Sequence, residues 1–300
     1  MRVACIGEAM VELALDGSGE TARVGFAGDT LNTAVYLKRS APALEVAYVT
    51  RLGSDVFSKK MAGFIAAEGL DTTGISISET RHPGLYAIST DAAGERSFTY
   101  WRDSSAAREL FQSGKRAAFG ALEGFAVLYL SAITLAILPQ WVRSEFCNWL
   151  AGWRARGGRV AFDSNYRPAL WTDCAEARAA IVEMWQKTDI ALPSVDDEMA
   201  LFGDKSVDDV VARMRGYGIR QGALKCGPDG PVSLGAPVSA VYAPAERVVD
   251  TTAAGDSFNA GYLAALLCGA EQAEALQRGH RLAARVVGAR GAIAPKDAVS

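Results

Sequence analysis

The sequence predicts an α/β fold around a mostly parallel sheet. Short apolar runs alternate with longer amphipathic ones, half of the 300 residues are hydrophobic, and two extended stretches interrupt the alternation. The runs at 3–7, 46–50, 126–131, 159–163, 190–192 and 223–225 read as buried parallel strands, which need no polar face. Between several of them, 31–39, 57–68, 140–156, 175–187 and 207–217 read as helices. In such a fold, ligands gather at the carboxyl ends of the strands.

The two exceptions are 10–26 and 85–101. The first holds Glu12-Leu13-Ala14-Leu15, then Asp16-Gly17-Ser18-Gly19, then a second extended piece. The second reads as a hairpin with its turn at Asp91-Ala92-Ala93-Gly94. Together they predict a small antiparallel sheet beside the strand ends. It would serve as a lid or as a packing surface for a second subunit.

Composition narrows the class. A chain of this length allows a single domain with an excursion. A net charge of −3 gives no basic surface for nucleic acid or anionic membrane. No apolar run approaches the ~18 residues of a membrane span. The amino terminus opens on a strand-like run rather than a signal peptide. Five scattered cysteines without a CxxC pair suit reduced thiols in the cytoplasm, and two histidines make a zinc site a poor expectation.

The densest chemistry lies in Asp250-Thr251-Thr252-Ala253-Ala254-Gly255-Asp256. A strand-like run at 241–249 leads in. A helix leads out, marked by Phe258, Tyr262 and Leu266. Unpaired N–H groups at a helix start suit a phosphate oxygen, and Asp256 could take a proton from an attacking hydroxyl. The plainer alternative is a capped helix with Asp256 complementing its dipole, and the segment alone leaves both open.

Four other stretches carry polar groups. Gly28-Asp29-Thr30-Leu31-Asn32 enters a helix, where Asp29 and Asn32 could bind a polyol or Asp29 could simply cap. Tyr100-Trp101-Arg102 ends the hairpin, with Tyr100 and Arg102 on one face. Asp163-Ser164-Asn165-Tyr166-Arg167-Pro168 follows a strand, and Arg167 could clamp a carboxylate or phosphate. Lys225-Cys226-Gly227-Pro228-Asp229-Gly230 follows another strand and reads by itself as an ordinary turn. His280, among Leu276, Ala283 and Val286, reads as packing or capping. Neither GxxxxGK[ST] nor GxGxxG occurs.

In this order the motifs resemble the ribokinase-type (PfkB) sugar kinases from Val3 to about Pro295. Gly28-Asp29-Thr30-Leu31-Asn32 and Asp250 through Phe258 carry the resemblance. Within the family, Gly84-Leu85-Tyr86, Tyr100-Trp101-Arg102 and the run Asp163 to Trp171 resemble the members acting on 2-keto-3-deoxygluconate. The resemblance implies a ribokinase-like three-layer sandwich with a lid formed by about 10–27 and 84–102. It implies transfer of the ATP γ-phosphoryl group to the sugar's 6-hydroxyl, with Asp256 as general base.

The anion hole would be the N–H groups of Ala253, Ala254 and Gly255. Gly28, Asp29, Asn32, Tyr86, Tyr100, Arg102 and Arg167 would bind sugar. Asn165, Arg167, Lys225, Gly227, Gly230 and Gly255 would line the ATP site, with Mg2+ on the phosphates. A homodimer or higher homo-oligomer through the lid is implied as well. Two arginines beside the sugar site favour an acidic substrate, because a buried carboxylate without a cation is costly.

The chain departs from the family pattern at three places. Ala27 and Ala253 stand where glycine is usual, and Ala253 is acceptable at negative φ. The family's Asn-x-x-Glu aligns with Ser194-Val195-Asp196-Asp197, which leaves Asp196, Asp197 and Glu198 as metal candidates. Some relatives place a monovalent cation where Asp250 and Thr252 stand. The alternatives to the keto-acid are a neutral sugar (fructose or ribose), a related keto-acid, or a catalytically weak sugar-binding protein.

Overall fold

The computed structural model describes residues 1–16, 19–90 and 96–296. In the first half of the chain lie β1 Arg2–Ile6, β2 Met10–Leu15, β3 Ala22–Ala27, α1 Asp29–Ser40, β4 Glu45–Leu52, α2 Val56–Ala67, β5 Ile75–Ile77, β6 Gly84–Thr90, β7 Arg96–Trp101, β8 Gln112–Ser113, β9 Arg116–Ala117, β10 Val127–Ser131, α3 Ala132–Ile137 and α4 Gln140–Ala155. The second half holds β11 Arg159–Asp163, α5 Cys174–Trp185, β12 Ile190–Ala191, α6 Val195–Phe202, α7 Val207–Gly216, β13 Ala223–Leu224, β14 Val232–Ser233, α8 Ala254–Leu267 and α9 Gln272–Val286.

Among the described residues, β12-β11-β10-β1-β4-β5 form one parallel sheet. Strand alternation divides its side chains between two cores. Ala4, Ile6, Leu128 and Leu130 face Phe146, Trp153 and Trp185 on one side. Val3, Cys5, Val127 and Tyr129 face Leu31, Tyr36 and Tyr262 on the other. Helices therefore cover both faces, which is why these strands are apolar throughout. A one-residue slip would exchange the two cores, and burying each large apolar side chain contributes about 1.5–3 kcal/mol.

Two expectations meet corrections here. Residues 241–249 form no strand: Val241 and Val248 are 91% and 63% exposed, while Tyr242 packs against the second core. Residues 223–225 join the parallel sheet only through the bridges Gly222–Ala191 and Lys225–Ser194. β13 itself pairs antiparallel with β14.

The two interrupting stretches assemble into one sheet of order β3-β2-β6-β7. Each half is an antiparallel hairpin, and the inner strands β2 and β6 join in parallel. The Asp91-Ala92-Ala93-Gly94 turn, and Gly17-Ser18 of the other turn, lie outside the described residues. Met10, Tyr86 and Ile88 on the inner face pack with Ala27 and Ala292, and Ala253 packs against them. The small sheet thus rests on the turn that starts α8.

Candidate active site

The turn before α8 has an unusual backbone. Ala253 is the N-cap at φ 62°, ψ 17°, the left-handed region. This overturns the expectation of negative φ at that alanine. A residue with a Cβ is strained there by roughly 1–2 kcal/mol. The Ala254 N–H is hydrogen-bonded to the Thr251 carbonyl at 3.1 Å, so it is engaged within the turn. Those of Ala253 and Gly255 have no backbone partner among the described residues. A Cβ built on Gly255 would meet the Lys225 ammonium at 3.6 Å. A helix start and an ammonium group therefore converge where an anion would be stabilised.

Asp256 lies in the first turn of α8, and Asn32 Nδ2 donates to one of its oxygens at 2.8 Å. Desolvation, with the Asp29 and Asp163 carboxylates nearby, pushes the Asp256 carboxyl up to about 8, against the opposing effects of Asn32 and Lys225. A carboxyl so placed takes up a proton readily, as a general base must.

Asp29 does not cap its helix. Gly28 is the N-cap of α1 and makes no side-chain cap bond. The Asp29 carboxylate instead receives the Ser131 hydroxyl and, at 2.9 Å, Asn165 Nδ2. Ser131 and Asp163 end the neighbouring strands β10 and β11 in register, so parallel pairing brings α1 and these loops together. A Cβ on Gly28 would lie 2.2 Å from the Glu8 carbonyl oxygen, so glycine is required by close approach.

The Lys225 loop enters the site through Asp163. Lys225 Nζ and Asn259 Nδ2 donate to one oxygen of Asp163 at 2.7 and 2.6 Å. Gly227 and Gly230 both have positive φ, and a Cβ on Gly230 would run into the Tyr242 ring at 2.4 Å. Burial pushes the neighbouring Cys226 thiol up to about 11, which makes it inert rather than activated. His280 bonds the Ala243 carbonyl at 2.8 Å, in keeping with a packing role.

From the lid, Tyr86 donates to Glu12 and stacks on Tyr100 at 5.7 Å between centroids. Tyr100 is half exposed. Arg102, expected to bind sugar, is buried and ion-paired with the buried Glu8. Arg102 Nε and Glu8 Oε1 nevertheless have no protein partner. Arg167 is the more exposed arginine, 3.5 Å from Asp197.

The metal candidates separate clearly. Glu198 is fully buried and paired with Arg213 at 2.9 Å, and burial raises its carboxyl to about 7. Its pairing with Arg213 makes it a poorer metal candidate than Asp197. Asp196 is exposed, while Asp197 is partly buried, accepts the Tyr166 N–H and has its carboxyl raised by desolvation.

Asp250 has taken a cation from the protein. Its carboxylate meets Arg96 Nη1 at 2.5 Å and accepts the Gly291 N–H at 2.6 Å and the Thr252 N–H at 3.1 Å. Asn259, Glu8, Ser131 and Arg96 were missed by reading motifs. Asn259 had a signal, a polar residue one turn beyond Asp256 inside an apolar helix. Arg96 had none, because its partner is remote in sequence.

The fold and these convergent groups define a kinase of small carbohydrates, and comparison agrees. Residues 1–298 match the model of the pfkB family carbohydrate kinases, and the chain belongs to that family. Similar chains include the 2-dehydro-3-deoxygluconokinase of Escherichia coli (strain K12), 45% identical over 99% of this chain and 98% of its own. That of Haemophilus influenzae is 40% identical over 100% and 97%. The crystal structure of the PfkB protein from Polaromonas sp. JS666 superposes with a TM-score of 0.83 at 27% identity, over 95% of each chain. Among the described residues no helix is long and apolar enough to cross a membrane.

Proposed function

We propose that the protein transfers the γ-phosphoryl group of ATP to the 6-hydroxyl of 2-keto-3-deoxygluconate, with Asp256 as general base. The observation that carries this reading is the Asp256 carboxyl, held by Asn32 at 2.8 Å and raised to about 8 at the start of α8. With one oxygen held, the other faces the incoming hydroxyl and takes its proton. Charge developing on the transferring group meets the Gly255 N–H and Lys225, which Asp163 holds in place. Asp29 and Gly28 hold sugar hydroxyls, and Tyr86 and Tyr100 close over the ring. Asn165 and the Gly227–Gly230 turn line the nucleotide.

Mg2+ commonly combines one or two carboxylates with substrate phosphates and water, and Asp197 is the carboxylate that fits. When bound, the ion neutralises phosphate charge. The exposed Trp101 on the outer lid face supports a homodimer through the lid.

The orphaned Arg102 Nε, a buried donor without a partner, supports an acidic substrate, while the orphaned Glu8 Oε1 would accept a sugar hydroxyl. A neutral sugar such as fructose is the second reading, favoured by the Glu8 charge already opposing Arg102. ADP release with ATP and Mg2+ separates the two across 2-keto-3-deoxygluconate, 2-keto-3-deoxygalactonate, gluconate, fructose and ribose. Dominance of the first supports the proposal; dominance of a neutral sugar assigns Arg102 to structure.

A further inference from the structure

Asp250 is the joint between two backbone segments. It accepts the Thr252 N–H within the turn that starts α8 and the Gly291 N–H from the segment beyond α9. Its side chain is 2% exposed. Burial alone would raise its carboxyl, yet the donors around it hold it below the usual carboxylate range, so it is an anion at neutral pH. A buried anion needs a cation. That cation is Arg96, whose Nη1 lies 2.5 Å from Asp250 and 3.4 Å from the Thr252 hydroxyl.

Arg96 belongs to neither segment. It opens β7 of the lid, opposite Thr90. The lid also touches Ala253 and Ala292 through Met10, Tyr86 and Ile88. The lid, the left-handed turn at Ala253 and the Gly291 segment therefore share one ion pair.

We propose that Arg96 is a positioning residue for phosphoryl transfer: a cation fixed in the chain that holds Asp250, and through it the turn from Thr252 to Gly255, where a diffusible monovalent cation would otherwise be needed. Arg96 touches no reacting atom and acts through the backbone that Asp250 sets. The inference rests on the kinase reading for its effect on turnover, and on the ion pair alone for its effect on cation dependence.

The test compares wild type, Arg96→Ala and Arg96→Lys in KCl and in tetramethylammonium chloride at equal ionic strength. Turnover of wild type should be the same in both salts. Arg96→Ala should lose about 10- to 100-fold in kcat, the scale of a small misplacement at the reacting group, with KM for the sugar less affected. KCl should restore part of that loss, and Arg96→Lys should keep most of the activity. Melting temperature provides a readout without substrate: only Arg96→Ala should gain stability from K+ over tetramethylammonium. Equal K+ dependence in wild type, an Arg96→Ala protein with wild-type kcat, or a variant that K+ neither reactivates nor stabilises would overturn the proposal. If wild type phosphorylates no sugar, the kinase reading fails and the melting comparison still decides the role of Arg96.

Discussion

Asp250 and Asp256 flank the same turn, and their surroundings drive them in opposite directions. Asp256 is raised to about 8 by desolvation and by the carboxylates of Asp29 and Asp163. Asp250 is buried too, yet Thr252, Gly291 and Arg96 hold it below the usual range. One residue type thus supplies two functions. The carboxyl left without a cation in contact can take a proton; the one clamped by a guanidinium can only hold structure. Lys225 belongs to this contrast, because it is near Asp256 yet bonded to Asp163.

Substitution should break the contrast at predictable points. The largest effect is expected from Asp256→Asn. It should abolish turnover, by more than the ~10²–10⁴-fold of general-base help alone, since the substrate hydroxyl also loses its anchor. The same change should stabilise the fold. The folded carboxyl of Asp256 binds its proton more tightly than the ordinary value of 3.8, so its contribution to stability falls as pH rises from about 4 to about 8. Asp256→Asn should therefore melt higher than wild type near pH 8 and approach it near pH 4, read by thermal melts across pH.

Asp250→Asn should do the reverse. A depressed carboxyl contributes stability that is present above its unfolded value and lost as pH falls through the folded one. The variant also leaves Arg96 facing a neutral amide. A loss of about 3 kcal/mol at neutral pH is expected, the low end for breaking a buried pair, visible in denaturant midpoints. Asp250→Asn with unchanged stability would remove the structural half of the comparison.

Smaller effects test the sugar side and the turn. Arg102→Ala should raise KM for the keto-acid at least tenfold while changing KM for fructose little. Equal effects on both would assign Arg102 to packing. Ala253→Gly should relieve the left-handed strain and raise stability by about 1 kcal/mol after the entropy of glycine is counted, a shift of ~2–4 °C in melting temperature.

The fold was legible because its signals are local. The parallel strands show as unbroken apolar runs, and β1, β4, β10 and β11 fall on the expected segments within two residues at either end. The run before Asp250 misled for the same reason: Val241, Val248 and Val249 imitate a strand, but among the described residues no neighbouring strand accepts it. Asp256, Asn32, Asp29 and Asn165 were legible as short motifs that the sheet then brings together. Their partners were not. Glu8 against Arg102 and Arg96 against Asp250 are long-range pairs between the lid and the body, and no local pattern encodes them. The left-handed Ala253 was invisible for a related reason: alanine has no preference for that conformation, which the surrounding turn imposes.

The most direct test of the account is the pH dependence of phosphoryl transfer to 2-keto-3-deoxygluconate by wild type and Asp256→Asn. The rate under kcat/KM conditions should rise with pH through a midpoint near 8 and level off above it in wild type, and transfer by the variant should be absent at every pH. A variant that still transfers the phosphoryl group, or a wild-type profile that is flat from pH 6 to 9, would contradict the assignment of Asp256 as the base.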